Sequence, residues 1–305
     1  MRRLHRLAVA AAAAALIAAC APRAPTPPSS TALGDEAITI GAFDFAESEL
    51  LGELYAQALE SHRYVVRRAF HLGPREFVVP ALRGGLIEMV PEYAGTALRF
   101  LSLDTAAVSD LAEIRVGLER VARPGSLAVL ASAGATDANA FVVSRETAEQ
   151  YGLTSLSDLA AVSGRLTFGG PPECPSRALC LAGLEDVYGV HFDEVVALDA
   201  GGPLTLQALR TGIVDVALMF TTDPALGGVD LVELTDDRHL QPPENVTPLV
   251  RTEVVDRHGA ALVAVVDAVS THLTTAGLRA LNGQVDSGRD VPLVAADWLR
   301  SEGLT

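Results

Sequence analysis

The chain has 305 residues, of which 49% are hydrophobic, so it is long enough to form two domains with separate cores. All 23 basic residues are arginines, and 38 acidic residues give a formal net charge of −15. This acidic balance excludes nucleic acid as the expected partner, because phosphates require basic contacts. It also predicts repulsion from anionic lipid headgroups, so any attachment to a membrane must come from another source.

The N-terminal residues 1–19 have the order of a secretory signal, a basic start (MRRLHR) followed by an apolar run (LAVAAAAAALIAA). The run ends in Ile-Ala-Ala-Cys, which resembles a bacterial lipobox, and we predict that Cys20 is lipidated after cleavage. An ordinary signal peptide with an incidental cysteine and an uncleaved anchor are the alternatives. Residues 20–37 are rich in Pro, Ser, Thr and Ala, which predicts a flexible tether. No later segment reaches the ~18 consecutive apolar residues of a spanning helix.

From residue 38 onwards, strand-like and helix-like segments alternate, which predicts an α/β fold with largely parallel sheets. The predicted strands are 38–43, 64–70, 86–90, 128–132, 138–144, 165–170, 194–199, 214–220 and 231–235. The predicted helices are 47–61, 75–83, 145–151, 155–163, 177–188, 204–211, 256–273, 275–286 and 291–301. Asp44 and Ser48 are the expected N-terminal caps of the first helix.

Ligands in open α/β sheets bind beyond the carboxyl ends of the strands, which directs attention to the turns that follow strands. These turns are 43–48, 91–96, 169–177, 200–205 and 220–224. Thr222, in the last turn, offers a hydroxyl to a ligand, although capping of a helix is an equal alternative. Arg177 has the geometry to hold a carboxylate through two hydrogen bonds, although a solvated surface arginine remains the alternative.

Cys174 and Cys180 are close together in the segment PPECPSRALC. In an exported protein such a pair predicts a disulfide. A metal site would need more ligands, and the next histidine is as far away as His191.

The sequence shows no catalytic motif: the seven histidines form no HExxH pair, and there is no GxSxG segment and no Walker loop. Carboxylate pairs such as Glu47 and Glu49 are typical of solvated faces. We therefore expect a protein that is not an enzyme and that has no cofactor and no metal site.

Six segments in this order, beginning with ITIGAFDFAESELLGELYAQALE and ALRGGLIEMVPEYAGTAL, carry a resemblance to a known family. The others are PPECPSRALCLAGLEDVYG, LDAGGPLTLQALRTGIVDVALMFTTDPAL, LQPPENVTPLVRTEV and LNGQVD…VAADWL. Together, over about residues 38–301, they resemble the substrate-binding proteins of osmoprotectant ABC importers, the glycine betaine, choline and carnitine type. PEYxGTAL and the TTD turn are the most specific parts.

The resemblance implies a bilobed fold of the type II periplasmic-binding-protein kind, with two α/β domains joined by two crossover strands. Domain I would comprise residues 38–142 and 243–305, and domain II residues 143–242. The lobes would close on a small molecule and deliver it to a membrane permease driven by an ATPase. The protein would be anchored by lipid to the outer face of the bacterial cytoplasmic membrane.

In this family a quaternary ammonium group lies in a cage of tyrosines, which bind it by cation–π interactions. Tyr93 matches the first cage tyrosine, and Thr96 matches its neighbour. Three later cage positions are changed here; they correspond to Asn139, Phe220 and Glu244.

Three more residues complete the expected ligand contacts. Phe43 stands where the family usually has a lysine, Asp44 follows it in the same turn, and Arg177 matches the arginine that binds the ligand carboxylate. The altered cage leaves two classes of ligand open, a compatible solute held partly by Glu244 and Phe43, or a different polar or aromatic molecule. A ligand sensor that does not transport is a further alternative.

Overall fold

The computed structural model describes residues 37–102 and 110–305. The predicted signal peptide, the predicted lipidation site Cys20 and the predicted tether up to residue 36 lie outside the described residues. Ala37, the last residue assigned to the tether, is buried. Residues 37–305 form one compact unit.

The first lobe is built on a five-stranded sheet with the strand order β2-β1-β3-β10-β4. Its strands are β1 (Ile38–Gly41), β2 (Val66–Ala69), β3 (Met89–Tyr93), β4 (Leu127–Val129) and β10 (Val246–Arg251). β1 is parallel to β2 and β3, whereas β10 is antiparallel to both β3 and β4. In this sheet the predicted parallel arrangement therefore holds for β1, β2 and β3, whereas β10 runs antiparallel to its neighbours.

The second lobe is built on a sheet with the strand order β7-β6-β8-β5-β9. Its strands are β5 (Asn139–Ser144), β6 (Thr167–Gly170), β7 (Glu194–Ala197), β8 (Val216–Phe220) and β9 (Leu231–Glu233). Phe141 and Val143 of β5 belong to one hydrophobic cluster, and Ala140 and Val142 belong to another. Because successive side chains of a strand point to opposite faces, β5 is a central strand covered on both sides.

The lobes are joined by two segments, residues 130–138 and 234–245, which meet at an isolated antiparallel bridge between Thr136 and Asn245. The predicted domain boundary between residues 142 and 143 falls inside β5, which belongs as a whole to the second sheet. Sheet membership therefore places this crossover a few residues earlier than the sequence suggested. The second boundary, between residues 242 and 243, falls within the other crossover.

Eleven α-helices lie in residues 37–102 and 110–305. They are α1 (Ala46–Ser61), α2 (Arg75–Gly84), α3 (Ala94–Ser102), α4 (Leu111–Ala122), α5 (Arg145–Tyr151), α6 (Leu156–Leu159), α7 (Leu181–Gly183), α8 (Pro203–Arg210), α9 (Thr252–His272), α10 (Thr275–Asp286) and α11 (Val291–Ser301). Residues 184–188 extend α7 as a π-helix. Helix α9 is interrupted at Gly259, whose φ of 67° and ψ of −158° are not helical.

Two local predictions near the site are corrected. The strand predicted at 86–90 begins at Met89 and continues to Tyr93, so that Pro91 lies within it, directly opposite Pro248 of β10. Neither proline has an N–H group to donate. Because the two lie opposite each other, neither position depends on a hydrogen bond from the other, and the pairing of β3 with β10 continues past them. The N-terminal cap of α1 is Phe45, with no side-chain hydrogen bond, rather than Asp44 or Ser48.

Among the helices of the described ranges, none is by itself both long and apolar enough to cross a membrane. Helices α9 and α10 meet the length and composition criteria only as a pair, and they are bent by 86° at their junction.

The predicted disulfide between Cys174 and Cys180 is present, with the two Cα atoms 5.3 Å apart, and both residues are buried in the core of the second lobe. It fixes the loop that carries Arg177. Closing so short a loop stabilises the protein by about 2 kcal/mol on the chain-entropy model.

We expect mass spectrometry of the unreduced protein to show the two cysteines joined and reduction to lower the melting temperature by several degrees. The Cys174→Ala/Cys180→Ala double variant should melt near the reduced protein and should not respond to reductant. Free thiols at both positions in freshly purified protein would contradict the pairing.

Candidate functional site

The segment PEYAGT crosses the junction between β3 and α3. Tyr93 is the last residue of β3 and pairs with Val246 of β10, so the sheet fixes its position. The chain then turns directly into α3, and the Gly95 N–H group bonds to the Pro243 carbonyl at 3.0 Å. A Cβ atom on Gly95 would lie 2.8 Å from the Pro242 side chain, so this close contact with the crossover segment requires glycine.

Tyr93 is joined to the second lobe by a chain of buried polar contacts. Its hydroxyl donates a hydrogen bond of 2.8 Å to Glu47 Oε1, and the two residues are only 6% and 8% exposed. Asn282 Nδ2 donates to the other oxygen of Glu47 at 2.6 Å and lies 3.3 Å from the Thr222 carbonyl oxygen. Burial and the neighbouring charge of Glu47 raise the pKa of Tyr93 well above its usual value, so its hydroxyl remains a donor.

Glu244 lies at the N-terminus of α3. The Thr96 N–H group donates to its Oε2 at 3.0 Å, and the Thr96 hydroxyl donates to its Oε1 at 2.5 Å. Burial raises the pKa of the Glu244 carboxyl to about 7, although these hydrogen bonds and the nearby Arg75 favour ionisation. The structure therefore brings Tyr93, Thr96 and Glu244 together at one end of the first sheet.

A third carboxylate, that of the half-buried Asp137, lies in the crossover between β4 and β5. Its N–H group donates to the Glu244 carbonyl at 3.0 Å, and its Oδ1 accepts a hydrogen bond of 2.8 Å from the Thr222 hydroxyl. Burial raises the pKa of Asp137 well above its usual value, and the charges of Glu47 and Glu244 raise it further. The charges of Glu47 and Glu244 thus both act on the Asp137 carboxyl.

Three aromatic rings form a row beside this cluster. The rings of Phe43 and Phe45 are 5.9 Å apart and parallel, and the rings of Phe45 and Tyr93 are 6.2 Å apart. The Arg75 guanidinium lies 5.0 Å from the centre of the Phe43 ring and also pairs with the fully buried Glu92. Phe43 therefore lies in the row of rings that includes Tyr93, but a protein arginine already acts as the cation on its ring.

Asn139 and Phe220 are brought together by the second sheet. They are opposite each other at the ends of β5 and β8. Asn139 Nδ2 donates to the Leu179 carbonyl at 3.0 Å, and Gln241 Nε2 donates to the same oxygen at 2.9 Å. Asn139 therefore holds the loop that the disulfide closes, and Phe220 remains half-buried.

Two residues that were predicted to contact the ligand, Asp44 and Arg177, lie away from Tyr93. Asp44 is exposed and lies 3.1 Å from His71 Nδ1 on the surface of the first lobe. The side chain of Arg177 is exposed, and it forms none of the ion pairs found between described residues. The structure as it stands does not bring Asp44 and Arg177 to Tyr93.

Sequence reasoning missed four residues of the site: Phe45, Glu47, Asp137 and Asn282. The interpretation of Glu47 as part of a solvated carboxylate pair was wrong, because Glu47 is buried against Tyr93 while Glu49 faces His71 at 3.2 Å. The position of Phe45 and Glu47 in the chain could have identified them as site residues, because both lie in the turn 43–48 that follows β1. Asn282 gave no such signal, because it lies within α10 and far along the chain.

A separate cavity of about 460 Å³ lies between the lobes. Its walls come from α3 and α4 on one side and from residues 178–187 and 238–242 on the other. Gly95 contributes to its wall, but Tyr93 and the three carboxylates do not. The carboxylate cluster is therefore enclosed by side chains instead of opening into this cavity.

Comparison with known proteins gives the family. Residues 36–301 match the family described as the substrate binding domain of ABC-type glycine betaine transport systems. A glycine-betaine-binding protein of Pseudomonas aeruginosa is 30% identical over 281 residues, which cover 88% of this chain and 89% of that protein.

A second relative is a Helicobacter pylori protein described as an ergothioneine transport permease and binding protein. It is 26% identical over 276 residues, and the match covers 90% of this chain but only 49% of the relative, so the chain spans about half of its length.

A crystal structure described as a glycine betaine/carnitine/choline ABC transporter superposes with a TM-score of 0.79 at 25% identity, and it covers 88% of this chain and 99% of that one. This match confirms the predicted bilobed α/β fold. The family is defined by binding of a substrate and not by catalysis. The chain belongs to the substrate-binding family of ABC-type glycine betaine transport systems.

Proposed function

We propose that this protein is an exported, lipid-anchored receptor that captures a small cationic compatible solute between its lobes and delivers it to the permease of an ABC importer. The permease is driven by an ATPase subunit, and Cys20 carries the lipid. The division into domain I (38–142 and 243–305) and domain II (143–242) belongs to the same proposal, with the crossover shifted as the sheets require.

The observation that supports this proposal is the carboxylate cluster beside Tyr93, of which Glu47 and Glu244 are buried and Asp137 is half-buried. Glu47, Asp137 and Glu244 come from the first lobe and its crossovers, and Thr222 from the second lobe contacts Asp137. A cation placed here would be attracted by the carboxylates and by the face of the Tyr93 ring. The binding proteins named for glycine betaine among the relatives support the same class of ligand.

Entry of the ligand requires the lobes to separate. Tyr93, Glu244 and Thr222 are 6%, 5% and 3% exposed, so solvent scarcely reaches them in this arrangement. Residues 130–138 and 234–245 are the only chain connections between the two sheets in residues 110–305, which makes them the expected hinge.

A thermal-shift screen tests the proposal directly. We expect betaine, choline or carnitine to raise the melting temperature by several degrees at concentrations about 100-fold above Kd, where binding adds about 2.7 kcal/mol of stability. Neutral sugars and aromatic solutes serve as matched controls and should leave the melting temperature unchanged. Stabilisation by a neutral solute but by no cation would contradict the proposal.

A further inference from the structure

Helix α10 belongs to the first lobe but also contacts the second. Its residues Leu278 and Leu281 are buried in the hydrophobic cluster of the first lobe. A different face of the helix carries Arg279 and Gly283. A Cβ atom on Gly283 would lie 3.4 Å from Cβ of Pro224, in the turn that follows β8. The helix therefore joins the lobes at a place outside the two crossovers.

The Arg279 guanidinium is the polar part of this contact. Its Nε and Nη2 atoms both donate to the Thr221 carbonyl oxygen, at 3.1 Å and 2.5 Å. Nη2 also lies 3.9 Å from Glu233 Oε2 on β9. A hydrogen bond from a charged donor is about twice as strong as a neutral one, whereas an ion pair with a side chain that is 41% exposed contributes little. The Thr221 carbonyl is therefore the main partner of Arg279.

Thr221 lies where the second lobe meets the first crossover. Its N–H group donates to the Ala138 carbonyl at 2.9 Å, and its hydroxyl donates to the Thr136 carbonyl at 2.9 Å. The Ala138 N–H group in turn donates to Thr221 Oγ1 at 3.0 Å. Thr221 is thus fixed to the crossover by its N–H group and its hydroxyl, while its carbonyl binds Arg279 of the first lobe.

Rotation of the lobes about the crossovers would separate α10 from this turn. The two crossovers lie side by side, because Thr136 forms an isolated bridge with Asn245. So narrow a connection lets the lobes rotate but does not hold them together. Helix α10 moves with the first lobe, in whose core it is packed, whereas residues 221–227 follow a strand of the second sheet. Their contact therefore opposes separation of the lobes.

Resting on the proposed function, we infer that Arg279 is a positioning residue that holds the two lobes in their closed arrangement through the Thr221 carbonyl. It acts on ligand binding without touching the ligand. Thr222, the next residue of the turn, contacts Asp137 in the candidate site, so the position of the turn affects that site. Because a ligand enclosed by the lobes leaves only after they separate, Arg279 slows its release.

The distance between the lobes tests this inference without any ligand. Arg279→Met removes the guanidinium and keeps an unbranched side chain for packing. Nitroxide labels at Glu113→Cys and Asp186→Cys, two exposed residues on opposite walls of the interlobe cavity, report the distance by double electron–electron resonance. We expect a distance that is longer by several ångström in Arg279→Met than in the labelled parent. Identical distance distributions would overturn the inference.

The labels attach only at the introduced positions. The chain has three cysteines, of which Cys174 and Cys180 are joined and Cys20 is replaced by serine in the labelled parent. Arg210→Met in the same parent is the matched control, because its ion pair with Asp230 lies within the second lobe. The control should leave the distance unchanged.

Stopped-flow kinetics with glycine betaine and choline measure the effect on release. A weaker hold on the closed arrangement favours the open form, which both takes up and releases ligand faster. We expect the dissociation rate to rise at least fivefold in Arg279→Met, with an association rate that is unchanged or higher. A distorted site would instead lower the association rate. An unchanged dissociation rate, or a lower association rate, would overturn the inference.

Two further variants grade the contact. Arg279→Lys keeps a charged donor but loses the second N–H group, so its dissociation rate should lie between those of Arg279→Met and the unchanged protein. It also carries the test if Arg279→Met does not fold. Glu233→Gln removes only the exposed ion pair and should change the dissociation rate less than twofold. A larger effect of Glu233→Gln than of Arg279→Lys would contradict the role of the Thr221 carbonyl.

The two measurements separate the inference from the proposed function. Failure of both glycine betaine and choline to bind at about 10 mM, which is weaker than a millimolar site, would overturn the proposed class of ligand. The label distances would still decide the role of Arg279, because they are measured in the ligand-free protein. Binding of either solute with unchanged distances in Arg279→Met would support the proposed function and overturn the inference.

Discussion

Replacement of Tyr93 by alanine is expected to weaken binding of any cationic ligand at least tenfold and to destabilise the protein by about 3 kcal/mol. The variant removes the ring face and leaves a cavity at the end of β3, where the side chain is only 6% exposed. It also removes the hydroxyl that donates to Glu47 at 2.8 Å. Titration calorimetry and urea unfolding measure the two effects.

Tyr93→Phe separates the ring from the hydroxyl. It keeps the aromatic face but leaves Glu47 without one of its donors, which costs about 1–3 kcal/mol for a buried group. We expect most of the affinity for a cation to be kept, together with a clear loss of stability. Equal losses of affinity in Tyr93→Phe and Tyr93→Ala would show that the hydroxyl, and not the ring, holds the ligand.

Tyr188→Phe is the matched control. Tyr188 is buried in the core of the second lobe and, like Tyr93, donates to a carboxylate, Asp236. Its replacement should lower stability without changing ligand affinity. Unchanged binding in Tyr93→Ala would remove Tyr93 from the site.

Affinity for choline is expected to rise about tenfold between pH 6 and pH 8. Choline itself does not titrate in this range. Burial raises the pKa of Glu244 to about 7 in the ligand-free protein, so its carboxyl is mostly protonated at pH 6 and mostly ionised at pH 8. A cation binds the ionised form, and binding near pH 7 should therefore release protons, which calorimetry in buffers of different ionisation enthalpy detects.

The raised pKa of the Glu244 carboxyl also predicts that the stability of the ligand-free protein falls as pH rises, which is opposite to the trend in choline affinity. The pKa of Glu244 is raised from 4.5 to about 7 by folding, so the folded chain binds more protons than the unfolded chain between these values. The free energy of unfolding therefore falls as pH rises from about 4.5 to about 7, by roughly 3 kcal/mol from this group. A cationic ligand at saturating concentration should offset this loss in the free energy of unfolding.

Glu244→Gln tests both trends. We expect a smaller dependence of choline affinity and of unfolding free energy on pH, with Asp137 responsible for what remains, because burial raises its pKa as well. Glu146→Gln, which changes an exposed acidic residue of α5, is the matched control and should retain the full dependence. An identical pH profile in Glu244→Gln and the unchanged protein would contradict the assignment of this titration to Glu244.

Local sequence patterns predicted helices well where residues close together in the chain determine them. The helices at 145–151, 275–286 and 291–301 have the predicted bounds, because their apolar spacing and turn residues are local. The turn predicted at 91–96 lies at a junction between a strand and a helix, with Tyr93 at the end of β3 and Thr96 in the first turn of α3. The family followed from linear motifs in their order along the chain, which is also a property of sequence alone.

The composition of the site depended on contacts between distant positions. The bond from Tyr93 to Glu47 spans 46 residues, that from Thr96 to Glu244 spans 148, and that from Asn282 to Glu47 spans 235. An acidic residue in the first turn of a helix has the same local pattern whether it faces solvent or a neighbouring lobe. The burial of Glu47 therefore had no signature in its own segment.

The direction of the strands is a further property that depends on contacts between distant segments. β5 is antiparallel to β8, and β10 is antiparallel to β3, because each follows a crossover and enters its sheet from the opposite side. The sequence by itself determined the elements, the disulfide pair and the family, since these rest on local spacing and linear motifs. Only the tertiary structure decided that two buried carboxylates and a half-buried one meet beside Tyr93, because burial is set by which distant segments come into contact.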